Sequence, residues 1–180
     1  MRVIAGSLGG RRLKAPRGRG TRPTSEKVRE ALFAMLADVR GADVLDLFAG
    51  TGALGIEALS RGAARAVFVE REPATATVLR ENLAALGLAG GDAEIRREDV
   101  LAALRRAREH RETYDLVFID PPYGQAGDWG ARLSAVLPSV LASGARIVVE
   151  SDRRSPLVLA ADVVRERRYG DTSVTIHRHA

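Results

Sequence analysis

The chain has 180 residues, of which 46% are hydrophobic. This is enough for one globular α/β domain and excludes a disordered chain. There is no cysteine, which excludes disulfides, thiolate zinc sites and cysteine nucleophiles together. The N-terminus lacks an apolar leader segment, and no apolar run approaches membrane-spanning length. A cytoplasmic protein without a membrane partner is therefore expected.

The positive charge is concentrated at the N-terminus. The net charge is +5, and residues 1–22 contain seven basic residues and no acidic one. The rest of the chain carries 21 basic and 23 acidic groups. This distribution predicts a nucleic-acid-binding arm over 1–22 and a near-neutral domain over 23–180, although a solubilising tail is an alternative. The predicted binding residues are Arg2, Arg11, Arg12, Lys14, Arg17, Arg19 and Arg22.

Helical and extended patterns alternate along the chain after this segment. A short hairpin is compatible with the first 21 residues, and an amphipathic helix is predicted from Thr24 to about Val39. Strands are predicted over 42–48, 65–70, 94–97, 114–120, 146–150, 163–169 and 172–178, and helices over 53–61, 73–86, 99–110 and 128–141. This order predicts an α/β fold with a doubly wound, mostly parallel sheet that ends in an antiparallel strand pair.

A glycine-rich turn follows the first of these strands. Gly50, Gly52 and Gly55 let the backbone approach a ligand at the start of a helix. The spacing G-x-G-x-x-G alone suggests a dinucleotide. However, the carboxylate of Asp46 would repel a pyrophosphate, and it suits the sulfonium and ammonium groups of S-adenosylmethionine (SAM). A tight turn capped by Asp46 is the alternative. The predicted SAM-binding residues here are Asp46, Phe48, Ala49, Gly50, Thr51 and Gly52.

Two further acidic residues follow predicted strands. Glu70 ends the second strand, where a carboxylate can accept hydrogen bonds from both ribose hydroxyls of NAD or of SAM. Asp99 follows the third strand and can accept from an adenine amino group. A role as the cap of the next helix is an alternative for Asp99, and the two roles are compatible. Both residues are therefore added to the predicted cofactor site.

The sequence Asp120-Pro121-Pro122-Tyr123 ends the fourth predicted strand. Two prolines fix a rigid turn and remove two backbone donors. The Asp120 carboxylate and the Pro121 carbonyl remain as acceptors, and Tyr123 offers a flat face. An exocyclic amine is a poor nucleophile because its lone pair is delocalised. Two acceptors on its hydrogens favour the geometry in which the lone pair faces a methyl donor, and an aromatic face holds an extruded base. Asp120, Pro121 and Tyr123 are therefore the predicted catalytic residues.

These motifs carry a resemblance to a known family. D-P-P-Y after the fourth strand with D-L-F-A-G-T-G after the first resembles the signature pair of Rossmann-like, SAM-dependent amino methyltransferases. Over nearly the whole chain, the sequence resembles the RsmD-type 16S ribosomal RNA guanine-N2 methyltransferases. The specific part of this resemblance is N-terminal, with R-V-I-A-G at 2–6, G-R-R-L at 10–13, R-P-T at 22–24 and V-R-E-A-L-F at 28–33.

The resemblance implies a Rossmann-like methyltransferase sheet and a role for each motif. Residues 46–52 would cradle SAM, Glu70 would hold its ribose, and Asp99 would lie near its adenine. Asp120 and Pro121 would hold the target amino group, and Tyr123 would stack on the guanine. The implied partner is 16S ribosomal RNA in an assembling small subunit. We also expect a monomer, and no metal, since a sulfonium leaving group requires none.

Three alternatives remain open on the sequence. An amino methyltransferase could act on adenine N6 of DNA or RNA, or on a protein glutamine, but 180 residues leave no room for a separate DNA-recognition domain. An NAD-dependent oxidoreductase leaves Asp46 and D-P-P-Y without a role. A non-catalytic RNA-binding assembly protein would have no need of the intact site residues.

Overall fold

Seven strands and five α-helices make up the described part of the chain. The computed structural model describes residues 1–15, 25–36, 38–122 and 126–180, with the backbone alone for 126–128. The helices are α1 (Glu26–Leu36), α2 (Ala53–Ser60), α3 (Pro73–Ala85), α4 (Val100–Glu109) and α5 (Ala126–Val136). The strands are β1 (Asp43–Asp46), β2 (Arg65–Val69), β3 (Ala93–Arg96), β4 (Tyr114–Ile119), β5 (Leu141–Asp152), β6 (Asp162–Tyr169) and β7 (Thr172–Arg178). None of the described helices is long and apolar enough to cross a membrane.

The strands form one sheet in the order β3-β2-β1-β4-β5-β7-β6. The first five are parallel, and β7 pairs antiparallel with both β5 and β6. Helical crossovers join the parallel strands, whereas only Gly170 and Asp171 join β6 to β7. Gly170 adopts a φ of 60°, which suits glycine in so short a turn. The predicted doubly wound sheet with an antiparallel C-terminal pair is confirmed.

Each face of the sheet is covered by its own set of helices. Helices α1, α2 and α3 pack on one face, against alternate strand residues such as Val44, Phe68 and Phe118. Helices α4 and α5 pack on the other, against intervening residues such as Leu45 and Val117. Because both faces are buried, β2 and β4 contain consecutive apolar residues, over 66–69 and 116–119.

The predicted boundary between the last helix and the fifth strand is wrong. Helix α5 ends at Val136, a 3-10 turn follows over Leu137–Val140, and β5 begins at Leu141 instead of Arg146. Pro138 lies in that turn, and proline lacks the N–H that a continuing α-helix requires. The early start of β5 pairs Leu141 with Tyr114, and the register then shifts before Leu116 pairs with Arg146.

Residues 1–13 form a hairpin that docks on α2. Val3 N–H donates to Arg11 O, and Leu13 N–H donates to Met1 O, each at 2.9 Å. The side chains of Val3 and Leu13 are buried in the core that α1 and α2 share. The hairpin that is compatible with this sequence is therefore present, and it is packed against the domain.

A buried ionic group holds the hairpin to the helices. The Glu57 carboxylate accepts hydrogen bonds from Ile4 N–H at 2.7 Å and Ala5 N–H at 3.1 Å. It also lies 2.8 Å from Arg61 Nε and 3.8 Å from Arg29 Nε. A buried carboxylate needs such compensation, and removing one partner of a buried pair typically costs about 3–5 kcal/mol.

Candidate active site

Carboxylates gather at the carboxyl edge of the five parallel strands. Asp46 is the last residue of β1, Glu70 directly follows β2, Asp120 directly follows β4, and Glu150 lies near the end of β5. Neighbouring strands lie about 4.8 Å apart, so residues that end adjacent strands are neighbours. In open α/β sheets the ligand lies outside this edge, which is where the structure places the predicted site residues Asp46, Glu70 and Asp120.

The glycine-rich turn is tightly fixed between β1 and α2. Ala49 N–H donates to Val69 O at 3.0 Å, and Gly52 N–H donates to Ala49 O at 2.7 Å. Gly50 and Gly52 have φ values of 56° and 84°, which L side chains rarely adopt. A Cβ on Gly52 would lie 2.4 Å from the Leu79 side chain. The turn therefore requires glycine here and leaves its backbone free to approach a ligand.

Glu70 organises the same turn through its side chain. One carboxylate oxygen accepts from Gly50 N–H at 3.0 Å, and the other accepts from Glu72 N–H at 2.8 Å. A carboxylate oxygen has further lone pairs, so these bonds leave capacity for ligand hydroxyls. Glu70 thus lies beside the glycine turn, as its predicted ribose role requires.

Asp46 is a fully buried acid beneath the turn. It is 1% exposed, and its Oδ2 accepts from Gly55 N–H in the first turn of α2 at 3.1 Å. Burial raises the pKa of Asp46 to about 7, and the nearby charge of Glu70 acts in the same direction. The capping alternative is therefore present in the structure. Burial makes it costly to ionise this acid, and a cation bound nearby would reduce that cost.

Asp99 lies farther along the edge, after β3. It is exposed and caps α4, with its side chain accepting from Leu101 N–H at 2.9 Å. The alternative helix-capping role is thus observed. Its second carboxylate oxygen leaves the predicted contact with adenine possible, and that contact stays a prediction.

The described part of the D-P-P-Y turn begins beside β1. Leu47 N–H donates to Phe118 O at 3.1 Å, which joins the ends of β1 and β4. Asp120 is half-buried, Pro121 is buried and Pro122 is exposed. Tyr123 lies outside the described residues, so its predicted stacking role stays a prediction.

Phe48 joins the glycine turn to helix α5. Its ring packs edge-on against the ring of Trp129, with centroids 5.1 Å apart and planes at 77°. The guanidinium of Arg132 lies 4.6 Å from the Trp129 centroid on the same helix. This contact connects the predicted cofactor turn with the element that follows the D-P-P-Y turn.

The described cations of the predicted arm differ in their contacts. Arg2 pairs with Glu26 at 3.1 Å, and Lys14 pairs with Glu81 at 2.8 Å. Arg11 donates to the carbonyl of Ala85 at 2.9 Å. The guanidinium of Arg12 is exposed and makes no hydrogen bond or ion pair with another described residue. Arg17, Arg19 and Arg22 lie outside the described residues.

Asn82 connects the N-terminal segment to the glycine turn. Its Oδ1 accepts from Lys14 N–H at 2.7 Å, and its Nδ2 donates to Lys14 O at 3.1 Å and to Thr51 O at 3.0 Å. Thr51 belongs to the predicted cofactor site. The sequence gives no signal for this role, because a polar residue within a helix is most often exposed.

Two other polar residues were missed although the sequence marks them. Glu57 is the one charged residue of α2, and a lone acid in an apolar helix indicates a buried partner. Glu150 ends the apolar run Ile147-Val148-Val149, just as Glu70 and Asp120 end theirs. It is 6% exposed at the same edge of the sheet.

The strand order, with the glycine turn and the strand-end acids at its carboxyl edge, gives the chain a Rossmann-like methyltransferase fold. A solved structure described as "Putative methyltransferase yhhF from Escherichia coli" is similar to it, with a TM-score of 0.82, 36% identity and coverage of 99% and 97% of the two chains. The family model described as "Conserved hypothetical protein 95" matches residues 1–178. The chain belongs to this family, and the predicted recognition is confirmed.

Curated relatives carry more specific names. The Bacillus subtilis protein named "Putative rRNA methyltransferase YlbH" is 40% identical, over 99% of this chain and 98% of its own length. The Haemophilus influenzae protein named "Ribosomal RNA small subunit methyltransferase D" is 32% identical, over 99% of this chain and 94% of its own length. Both are similar to this chain from end to end.

Proposed function

We propose that this protein transfers the methyl group of SAM to the exocyclic N2 of one guanine in small-subunit ribosomal RNA. The observation that carries this proposal is the convergence of Asp46, Glu70 and Asp120 at one sheet edge, around a turn that requires glycine. The names of the full-length relatives support the RNA substrate. An assembling small subunit in the cytoplasm is the proposed partner of a monomeric enzyme.

The residues of the glycine turn fit SAM as the cofactor. Bound SAM supplies a methyl group that is electrophilic because it is attached to a positively charged sulfur. Asp46 offers a buried carboxyl group near the turn, whose ionised form a bound cation would favour, and Glu70 offers carboxylate oxygens beside Gly50 for ribose hydroxyls. The proposed place of Asp99 is near the adenine amino group.

The D-P-P-Y turn prepares the target amine. The Asp120 carboxylate and the Pro121 carbonyl accept the two N2 hydrogens, and the nitrogen lone pair then faces the methyl group. Transfer of the methyl group from bound SAM would leave the nitrogen positively charged, so the nitrogen would have to lose one proton. Asp120 already accepts one of those hydrogens and is placed to take that proton. Tyr123 holds the plane of the base, and most of the rate gain comes from alignment.

The N-terminal segment is the proposed RNA contact away from the catalytic edge, by which we mean the carboxyl edge of the parallel strands. Residues 1–22 hold the positive excess of the chain, and the exposed guanidinium of Arg12 is available to a phosphate. Because residues 1–13 are docked on α2, Arg2, Arg11 and Arg12 form a fixed surface of the domain, with 23–180 supplying the methyltransferase site.

Labelled SAM tests the proposal directly. The protein is incubated with naked small-subunit RNA and with small subunits that lack the modification, and the labelled nucleoside is then mapped. We expect label in N2-methylguanosine at one position, with Asp120→Asn as the inactive control, because the amide replaces an acceptor with N–H donors. Label in N6-methyladenosine, or no transfer to either substrate, would contradict the proposal.

A further inference from the structure

Glu150 is a buried acid at the catalytic edge that the mechanism above does not use. It lies near the end of β5 and is 6% exposed. Ile119 of β4 pairs with Val149 of β5, so Asp120 and Glu150 are the next residues along two adjacent parallel strands. With strands about 4.8 Å apart, Glu150 is a direct neighbour of the residue proposed to hold the amine.

The two carboxylates also share a face of the sheet. Phe118 and Val148 pack in the core beneath α1, and alternate residues of a strand share a face. Asp120 and Glu150 each lie two positions farther along. Val174, the antiparallel partner of Glu150 on β7, belongs to the same core. Glu150 is thus on the same side as Asp120, and the sheet does not separate them.

The chemistry of the purine edge distinguishes what such a pair can bind. Two acceptors at Asp120 and Pro121 hold an exocyclic amine, and adenine and guanine both have one. Guanine has an N1–H donor directly beside its 2-amino group, whereas N1 of adenine is an acceptor. A second carboxylate beside Asp120 can accept a hydrogen bond from N1–H of guanine. With adenine, the same carboxylate would face the lone pair of N1, which is repulsive.

We propose that Glu150 accepts a hydrogen bond from N1–H of the target guanine and selects guanine over adenine in the methyl-transfer site. This inference rests on the proposed function and deepens it by naming the residue that reads the base. Asp120 and Pro121 align the amine, and Glu150 determines which purine presents it.

The test replaces the target guanine with 2-aminopurine in reconstituted small subunits. This analogue keeps the 2-amino group, but its N1 is an acceptor. In single-turnover kinetics the wild-type enzyme is expected to prefer guanine by about 10- to 150-fold, the range for a lost hydrogen bond to a charged group. Glu150→Gln offers an N–H to that N1, and the preference is expected to fall to about threefold or less.

Two features make the comparison specific. 2-Aminopurine also lacks O6, but that loss is common to both enzymes and cancels in the ratio of their preferences. Asp152→Asn makes the same acid-to-amide change two residues farther along β5, and it is expected to keep the wild-type preference. A purely structural role of Glu150 would lower the rates on both bases equally.

The inference is overturned if wild-type enzyme methylates both bases at similar rates, a result that does not depend on any variant being folded. It is also overturned if Glu150→Gln keeps the full preference for guanine while melting like the wild type. In both cases transfer to guanine N2 still stands, so the proposed function survives. Absence of transfer to guanine by the wild-type enzyme would overturn both.

Discussion

Asp46→Asn tests whether the buried carboxylate under the glycine turn is kept at a cost in stability. Asparagine has nearly the same shape, can accept the Gly55 N–H through Oδ1, and does not ionise. Burial raises the pKa of Asp46 from 3.8 to about 7. The folded protein therefore holds this proton more tightly than the unfolded chain. The stabilisation that comes from this tighter proton binding is fully present below pH 3.8, and it is lost as the pH rises to about 7.

The magnitude follows from this difference in pKa. Each pKa unit is worth about 1.36 kcal/mol. Raising the pKa of Asp46 from 3.8 to about 7 therefore lowers the free energy of unfolding, relative to its value at low pH, by about 4 kcal/mol at pH 8.5 and by about 2 kcal/mol at pH 5.5. The amide has its own burial cost, but that cost does not change with pH. The free energy of unfolding of Asp46→Asn, relative to wild type, should therefore increase by about 2 kcal/mol between pH 5.5 and 8.5.

Urea denaturation followed by the fluorescence of Trp129, the one tryptophan of the chain, measures this quantity. The indole is 6% exposed in the folded protein, so unfolding changes its environment. Asp162→Asn, at an exposed position of β6, should show no comparable rise. A flat or falling difference for Asp46→Asn would refute the argument. The same variant should bind SAM more weakly, because the amide cannot supply the negative charge that is proposed to face the cation.

Three further predictions follow from the site and the hairpin. Gly6→Ala should destabilise the protein by about 2 kcal/mol more than Gly10→Ala in urea melts. Both glycines have φ near 80°, but of the two only Gly6 would place a new Cβ in a clash, 1.8 Å from Ser60 O. Equal losses of stability would count against hairpin docking. Glu70→Gln should weaken SAM binding by about 1.5–3 kcal/mol in calorimetry, since an acceptor oxygen becomes an amide nitrogen. Unchanged affinity would show that Glu70 does not bind the cofactor. Arg12→Ala should reduce the slope of log RNA affinity against log salt by about 0.7 with no change in melting; an unchanged slope would argue against a phosphate contact.

Much of the fold could be predicted because its signals are local. Apolar runs that end in Asp46, Glu70 and Asp120 mark the ends of parallel strands, and the glycines mark a turn into a helix. The error at Leu141 arose where local signals conflict, since Pro138 stops a helix whose apolar pattern continues. Glu150 carries the same strand-end pattern and was within reach of sequence reasoning.

The rest of the site depends on contacts that spacing does not encode. Nothing near Lys14 in the sequence indicates that Asn82 will hold its backbone, and nothing near Ile4 points to Glu57. Charge counting likewise treats the basic residues of the arm alike. The structure separates Arg12 from Arg2, Arg11 and Lys14, which already have partners in the domain.

The hairpin is synthesised before the residues that hold it to the domain. Glu57, which accepts a hydrogen bond from Ile4 N–H, lies 53 residues downstream of it. Asn82, which accepts from Lys14 N–H, lies 68 residues downstream. At about 5–20 residues per second, the second interval lasts roughly 3–14 s. During that time Val3 and Leu13 have no core to enter, and the arginines around them remain in solvent. Residues 1–14 therefore emerge before their partners exist, and they become a fixed part of the surface only after α3 has left the ribosome.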